Sequence, residues 1–191
     1  MRIKCCGITR VRDAQYADQL GAAAIGVVLF SSASPRSVPV EQAREIFRAV
    51  SPFTATVAVT HTTSEKDLAK ILLLRPTAIQ IFHPFVFAEA PCVKVIRAIK
   101  RGDRLPEDCD AIVVDDSQGS GRLFDGSFAR DAVQRSKVPV ILAGGLTPEN
   151  VGEAIRLVHP YAVDVATGIE RAPGIKDAEK IRAFIAACTE E

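Results

Sequence analysis

The sequence lacks an excess of charge of either sign, and it lacks any long apolar run. Lysine and arginine total 24 against 23 acidic residues, the net charge is +1, and no basic block stands out. Nothing electrostatic therefore points to a nucleic acid or an anionic membrane as a partner. No run approaches the roughly 18 apolar residues of a transmembrane helix, and the first residues hold no apolar signal region. With 48% hydrophobic and 25% charged residues, the 191-residue chain has the composition of a globular protein of about one domain.

A paired cysteine framework and metal-binding spacings are also absent from the sequence. The five cysteines are an odd number and include the adjacent Cys5 and Cys6, which suits free thiols better than a set of disulfides. There is no Cys-x-x-Cys or His-x-x-x-His spacing, and the three histidines are scattered. We therefore expect a soluble, cytoplasmic protein that holds no metal.

What the sequence does contain is an alternation of short apolar runs with amphipathic stretches. Eight runs are nearly continuous in apolar residues, as strands buried on both faces must be: 3–6, 24–30, 54–60, 78–82, 93–96, 111–115, 139–143 and 162–166. Four stripes of apolar residues at helical spacing lie between or after them, within 43–50, 68–72, 151–158 and 178–188. Ser64 is expected to cap the second of these helices, and Thr147-Pro148 to begin the third.

This alternation predicts the fold. Strand–helix units imply parallel strands joined by right-handed crossovers, and eight of them predict a closed (β/α)8 TIM barrel, one domain over residues 1–191. The chain is short for that fold, and residues 83–92 and 97–110 show little helical periodicity. We therefore expect reduced helices, no more than a turn or loop, between strands 4 and 6. An open doubly wound sheet is the alternative.

Reactive side chains fall where the predicted strands end, which is where such barrels carry their chemistry. Cys6 is the last residue of strand 1, and a thiol there can act as nucleophile or base. A small core residue is the other reading, and it is favoured for Cys5. Arg36, in a proline-stiffened loop after strand 2, suits a carboxylate or phosphate, unless it is simply an exposed arginine. Asp125, after strand 6, is either a helix N-cap or a functional carboxylate.

The seventh and eighth strands both end in glycine-containing loops, Gly144-Gly145 and Thr167-Gly168. Backbone N–H groups in these two loops can face a ligand, and this is the recurrent phosphate site of the fold. Together with a thiol after strand 1 and a carboxylate after strand 6, the loops suit proton-transfer chemistry on a phosphorylated substrate.

Six segments spread along the whole chain carry recognisable motifs. They are KCCGIT at 4–9, SPR at 34–36, GSG at 119–121 with FD at 124–125, PVILAGGLTPEN at 139–150, VDVATGIE at 163–170 and PGIKD at 173–177. In this order they closely resemble the phosphoribosylanthranilate isomerase family of tryptophan biosynthesis. The resemblance implies a (β/α)8 barrel and an isomerase.

The resemblance also implies a reaction and a set of roles. N-(5-phosphoribosyl)anthranilate would undergo an Amadori rearrangement to 1-(2-carboxyphenylamino)-1-deoxyribulose 5-phosphate, with no metal or organic cofactor. Asp125 would be the general acid that protonates the furanose ring oxygen, and Cys6 the general base that takes the proton from C2 of the sugar. Arg36 would bind the anthranilate carboxylate. Backbone amides would hold the phosphate around Gly144, Gly145, Thr167 and Gly168.

The chain departs from the family pattern beside this site. After strand 4 it reads Gln-Ile-Phe-His-Pro at 80–84 where many members carry Gln-Leu-His-Gly, so His83 is displaced by one position. After strand 3 it has Thr-His-Thr at 60–62 in place of the more usual Phe-Val-Asn, and Gly126 stands where an aromatic is common. These changes touch neither the acid nor the base, and we expect them to alter affinity or substrate range.

Other functions stay open at this point. Another phosphosugar barrel, such as a histidine-pathway aminoaldose isomerase or indole-glycerol-phosphate synthase, would want an aspartate in place of Cys6, or lysine and glutamate at strand ends. An inactive phosphate-ligand-binding barrel would keep the glycine loops but lose Cys6 or Asp125, and a thiol redox or metal protein would depend on Cys5 and Cys6. We expect a small phosphorylated substrate, no nucleic-acid or membrane partner, and a monomer or homodimer.

Overall fold

Eight parallel strands close into a barrel in the computed structural model, which describes residues 1–87, 91–115 and 126–189. Each strand pairs with the next, and the last returns to the first. The strands are β1 (Arg2–Cys5), β2 (Ala24–Leu29), β3 (Ala55–Thr60), β4 (Ala78–Ile81), β5 (Lys94–Ile99), β6 (Ala111–Asp115), β7 (Val140–Ala143) and β8 (Ala162–Val165). The predicted (β/α)8 fold is confirmed, and closure excludes the open sheet.

Six helices cover the outside of the barrel in the described parts of the chain. They are α1 (Val11–Gln19), α2 (Val40–Arg48), α3 (Glu65–Leu72), α4 (Ser127–Arg135), α5 (Val151–Val158) and α6 (Ala178–Thr189). Ser64 caps α3 as predicted, because its hydroxyl accepts a hydrogen bond from the Asp67 N–H at 3.3 Å. A short 3-10 turn (Thr167–Ile169) and a small hairpin of β9 (Glu170–Ala172) and β10 (Ile175–Lys176) follow β8. None of the described helices is long and apolar enough to cross a membrane.

Two element boundaries differ from the sequence-based prediction by three residues, whereas the other strand ends agree within one residue. Helix α5 does not begin at Thr147-Pro148 but at Val151. The Asn150 side chain folds the preceding residues into a turn instead, because its Oδ1 accepts from the Thr147 N–H at 2.8 Å and its Nδ2 donates to the Gly145 carbonyl at 2.9 Å. Strand β5 also continues beyond residue 96 to Ile99. The charged Arg97 ends the apolar run in the sequence but not the strand.

The helices between β4 and β6 are reduced, as predicted. Residues 82–87, 91–93 and 100–110 contain no helix. Arg97, on the outer face of β5, contacts both connections with a side chain that is 7% exposed. Its guanidinium donates to the carbonyls of His83 at 3.0 Å and Phe85 at 2.8 Å, and it forms an ion pair with Asp108 at 2.7 Å. Arg97 and the buried Phe85 thus cover part of the wall that helices cover elsewhere.

Alternation along each strand separates two cores. Outward-facing residues such as Ile3 and Cys5 pack under the helices, whereas Cys6 belongs to the smaller cluster inside the barrel. Lys4 is buried and lies on the same inner side as Cys6. The sequence-based assignment of Cys5 to the core is therefore confirmed, and the inner positions at the carboxyl ends of the strands define where a site can form.

Candidate active site

A cavity of about 1310 Å³ opens at the carboxyl ends of the strands. Its lining includes most of the residues that the sequence singled out: Cys6, Arg36, Gly144, Gly145, Thr167 and Gly168. The barrel therefore brings the thiol, the arginine and both glycine loops to one mouth, although they are far apart in sequence. Asp125 lies outside the described residues.

Cys6 lies at the floor of this cavity with 8% of its surface exposed. It directly follows β1, and its N–H donates to the Val165 carbonyl of β8 at 2.8 Å, which fixes the backbone beneath the thiol. Gly26 on β2 leaves room for the sulfur, because a Cβ at that position would lie 2.9 Å from Cys6 Sγ. The thiol is thus held inside the barrel and faces the cavity.

A buried ammonium lies beside this thiol. Lys4 Nζ donates to Asp164 Oδ2 at 2.7 Å and to Gln80 Oε1 at 2.9 Å, so the charge is paired across the barrel interior. Although burial favours the neutral amine, Asp164 and the Cys6 sulfur raise the pKa of Lys4 to about 12. Lys4 is therefore a permanent positive charge next to Cys6 at neutral pH.

Two opposing influences act on the thiol of Cys6. Burial raises the pKa of Cys6 and the Asp164 carboxylate raises it further, whereas the charge of Lys4 and its hydrogen bond to the sulfur lower it. The net direction is upward from the ordinary value. In the unliganded protein Cys6 is thus a protonated thiol at neutral pH, with a neighbouring cation that stabilises the thiolate when it forms.

Arg36 reaches the cavity from the loop after β2, but Glu170 holds it from across β1. Its Nε and Nη2 donate to the two carboxylate oxygens of Glu170 at 2.8 and 2.7 Å, and Nη2 also donates to Thr167 Oγ1 at 3.2 Å. Lys176 donates to the same carboxylate at 3.0 Å. Burial alone would raise the pKa of Glu170, but Arg36 and Lys176 lower it below its ordinary value. Arg36 is therefore held in position, and among the described residues Nη1 is its one nitrogen without a hydrogen bond.

The loops after β7 and β8 pack tightly against each other at the cavity rim. Gly144 and Gly145 have φ angles of +95° and +63°, a backbone conformation that other residues rarely adopt. A Cβ at Gly168 would lie 2.0 Å from the Leu146 carbonyl oxygen. Glycine is thus required at 168 by close approach and at 144 and 145 by backbone conformation, which explains why both loops are glycine-containing.

Two aromatic rings lie at the cavity mouth, on the side of the barrel opposite the two glycine loops. His61 and Phe82 follow β3 and β4, and their rings stack with centroids 4.0 Å apart and an interplanar angle of 20°. Both line the cavity. His83 does not, and its ring instead lies nearly perpendicular to the ring of Phe85, with the two centroids 4.7 Å apart. Because side chains alternate along an extended segment, the displacement by one position turns His83 away from the cavity.

Sequence reasoning overlooked several of these side chains. It assigned no role to Gln80, Asp164 or Glu170, although all three contact residues of the site. A signal was available for the first two, because each is a polar residue at an inward position of an otherwise apolar strand, and burying such groups requires a partner. Glu170 follows β8 and is not part of an apolar barrel strand, so the sequence pattern did not indicate that it is buried.

The geometry of the described residues supports neither a metal site nor a redox pair of Cys5 and Cys6. Within the described ranges, no group of three or more His, Cys, Asp or Glu side chains could hold a metal ion. Cys5 and Cys6 are both free thiols, and alternation separates them to opposite sides of β1. The fold and site together define a (β/α)8-barrel protein with a thiol, a buried ion pair and two glycine loops around a single mouth.

Comparison with known proteins gives the family. The sequence model described as N-(5'phosphoribosyl)anthranilate (PRA) isomerase matches residues 3–187. The N-(5'-phosphoribosyl)anthranilate isomerase of Methanoregula boonei is 62% identical over 190 residues, which cover 100% of this chain and 97% of that protein. The chain belongs to the N-(5'-phosphoribosyl)anthranilate isomerase family, and it is an isomerase of tryptophan biosynthesis.

Solved structures agree with this assignment. The phosphoribosyl anthranilate isomerase of Thermus thermophilus superimposes with a TM-score of 0.84 at 36% identity, over 100% of this chain and 99% of the other. A phosphoribosyl anthranilate isomerase in complex with reduced 1-(o-carboxyphenylamino)-1-deoxyribulose 5-phosphate gives a TM-score of 0.82 at 32% identity, over 100% of both chains. The resemblance seen in the motifs is thus confirmed over the whole chain.

Proposed function

We propose that this protein isomerises N-(5-phosphoribosyl)anthranilate with Cys6 as general base and Asp125 as general acid. The observation that carries the proposal is the position of Cys6, which faces the same cavity as the glycine loops and has the Lys4 ammonium beside it. Because β1 pairs with β8, a base at this point lies beside the loop after β8, where the phosphate of the substrate would bind.

The reaction then proceeds through a series of proton transfers. Asp125 gives a proton to the furanose ring oxygen, the bond between that oxygen and C1 breaks, and the lone pair of the anthranilate nitrogen forms a Schiff base. Cys6 as thiolate removes the proton from C2, and the electron pair of that bond forms a double bond between C1 and C2. The electron pair of the C=N bond returns to the nitrogen, which gives an enolamine. The enolamine relaxes to the ketone by proton transfer to C1. No oxidant or reductant is needed.

The charges around the thiol suit its proposed role. A thiolate that forms at Cys6 is stabilised by Lys4, which stays protonated because of its pair with Asp164. Oδ1 of Asp164 is buried and has no hydrogen-bond partner among the residues described, so it adds negative charge at the floor. Cys6 is therefore a strong base once ionised, and a small fraction of thiolate can sustain proton abstraction.

Each of the substrate's two charged ends would have its own binding group at the cavity mouth. Glu170 holds Nε and Nη2 of Arg36, which leaves Nη1 to donate to the anthranilate carboxylate. The phosphate would bind at the backbone amides around Gly144, Gly145, Thr167 and Gly168, where positive φ angles and close loop packing keep side chains away from the N–H groups.

The direct test uses three alanine variants and substrate generated in situ. Loss of the anthranilate fluorescence of the substrate reports turnover. Cys6→Ala and Asp125→Ala are each expected to lower kcat at least ~10²-fold, the usual contribution of a general acid or base. Cys92→Ala, which changes an exposed thiol outside the cavity lining, is the matched control and should retain full activity.

The outcomes separate the alternatives. Activity that survives in Cys6→Ala, with the fold intact by circular dichroism, would show that the base is another group. A wild type that binds the product tightly but does not turn over would indicate an inactive binding protein.

We further propose that the protein works in the cytoplasm. Support comes from the five cysteines, all of them free, which suits a reducing compartment, and from a pathway that uses small soluble metabolites. A monomer or homodimer, and a single domain over 1–191, stay predictions. Light scattering of the purified protein decides the oligomeric state.

A further inference from the structure

The ring pair at the ends of β3 and β4 results from strand register. Thr60 of β3 pairs with Ile81 of β4, so the next residues, His61 and Phe82, lie side by side. Both continue the inward-facing alternation, because Val59 and Gln80, two residues earlier, also line the cavity. The two rings therefore form one continuous surface that faces the mouth.

This surface is held in place from β2. The Ser31 hydroxyl lies 2.9 Å from His61 Nδ1 and also accepts from the His61 N–H at 3.1 Å. Ser31 is itself buried, so the imidazole orientation is fixed. Burial lowers the pKa of His61, and the ring is neutral at pH 7. Phe82 is 42% exposed and lines the cavity, so its ring is accessible to a ligand there.

The barrel order places the rings opposite the glycine loops. In a closed ring of eight strands, β3 and β4 lie diametrically across from β7 and β8. In the proposed substrate, the phosphate and the anthranilate ring are at opposite ends of the ribose. A substrate whose phosphate is bound at Gly144–Gly145 and Thr167–Gly168 can extend across the cavity and bring its aromatic ring to the β3–β4 side.

We propose that His61 and Phe82 form the wall that recognises the aromatic ring of the substrate. Their faces supply a flat, uncharged surface for an aromatic ligand, while Arg36 supplies the charge for its carboxylate. His61 and Phe82 are thus specificity-determining residues, and they stand at positions where the sequence departs from the usual family pattern. The inference rests on the proposed function, since it takes the substrate from there.

The test compares two sugar phosphates, one with the aromatic ring and one without it. Reduced 1-(2-carboxyphenylamino)-1-deoxyribulose 5-phosphate carries the ring, whereas ribose 5-phosphate carries the sugar and phosphate alone. Dissociation constants are measured by calorimetry for wild type, His61→Ala, Phe82→Leu and the matched control His83→Ala. We expect each of the first two variants to weaken the ring-bearing ligand about tenfold, with ribose 5-phosphate changed less than twofold. His83→Ala should match the wild type for both ligands, because its ring points away from the cavity.

Kinetics give a second readout. If His61 and Phe82 recognise the aromatic ring, KM should rise about tenfold in His61→Ala and Phe82→Leu, while kcat changes little. Equal weakening of both ligands, or no weakening of the ring-bearing one, would overturn the inference while wild-type turnover leaves the proposed function standing. A wild type that neither binds the ring-bearing ligand nor turns over would overturn both.

Discussion

Cys6 shows how a single residue can be both buried and reactive. Alternation along β1 sends its side chain inward, and the backbone bond to Val165 fixes it at the cavity floor. Burial favours the thiol, whereas Lys4 favours the thiolate. The balance between these two effects sets the fraction of Cys6 that is thiolate at a given pH.

The pH profile should reveal this balance. Because the pKa of Cys6 is raised, the thiol is protonated at pH 7 and the thiolate fraction grows about tenfold per pH unit until the pKa is reached. We expect the rate of alkylation of Cys6 by iodoacetamide, followed by mass spectrometry, to rise steadily from pH 7 to 9 instead of reaching a plateau near neutrality. An alkylation rate that is flat above pH 7 would contradict the raised pKa of Cys6.

At the scale of elements, the loops after β7 and β8 act as one unit. Leu146 and Gly168 approach so closely that the two loops cannot move independently without opening a gap at the proposed phosphate site. Asn150 stiffens the first loop through its bonds to Thr147 and Gly145, which is why α5 begins late. The glycine positions are therefore a packing requirement as well as a ligand requirement.

Gly168→Ala tests this coupling. The added methyl group would meet the Leu146 carbonyl oxygen at 2.0 Å, so the backbone must shift. We expect KM for the substrate to rise at least tenfold, together with a stability loss of ~1–3 kcal/mol, as is usual for overpacking. Calorimetric binding of inorganic phosphate should weaken in parallel.

The control for Gly168→Ala is Gly21→Ala. Gly21 also has a positive φ, of +94°, but an added Cβ meets no atom within 4 Å. This variant should lose about 1 kcal/mol from backbone strain and keep wild-type KM. Equal KM values in Gly168→Ala and wild type would show that the loop packing does not govern substrate binding.

At the scale of the whole molecule, the barrel wall is unevenly covered. Helices shield the other strands, but at β5 the cover comes from Arg97 and from the segments that it holds. The backbone carbonyls of His83 and Phe85 depend on this guanidinium. One charged side chain thus contributes to stability in the way that a helical connection does elsewhere.

Arg97→Met should therefore be far more damaging than an ordinary arginine substitution. The variant leaves two carbonyls without their donor, and each such loss costs ~1–3 kcal/mol when the group is buried. We expect the free energy of unfolding to fall by ~2–4 kcal/mol, measured by urea denaturation. Hydrogen exchange should accelerate in residues 82–87 and 100–110.

Arg135→Met is the comparison for Arg97→Met. It removes an exposed ion pair with Asp131, whose partners are 68% and 52% exposed. Such pairs contribute ~0–1 kcal/mol. Similar stability losses in the two variants would mean that Arg97 does not support the wall as inferred.

These scales also show what the sequence could predict. Apolar runs identified all eight strands, because a strand buried on both faces has a nearly continuous run of apolar residues. Helix α1 was not singled out, since its buried face is made of Asp13, Ala14 and Ala17, which give no large apolar stripe. The end of β5 was misplaced for a similar reason, because Arg97 looks like a surface residue until its partners are known.

The candidate site was also predictable only where a local sequence pattern determines the position of a residue. Alternation and strand order were enough to place Cys6 and the glycine loops at one mouth. The pairing of Arg36 with Glu170 joins residues 134 positions apart, and the His61–Phe82 stack depends on strand register. Contacts between loops of different strands require the closed barrel, and no local pattern encodes them.

The helix-poor side of the barrel has a consequence for how the chain folds. Residues 82–93 and 100–110 are the shortest connections between neighbouring strands, because no helix has to be accommodated in the described parts of them. The entropy lost on closing a loop grows with its length, so β4–β5 and β5–β6 are the least costly strand pairs to form. We therefore expect β4, β5 and β6 to pair early in folding, before the ring closes through β8 and β1.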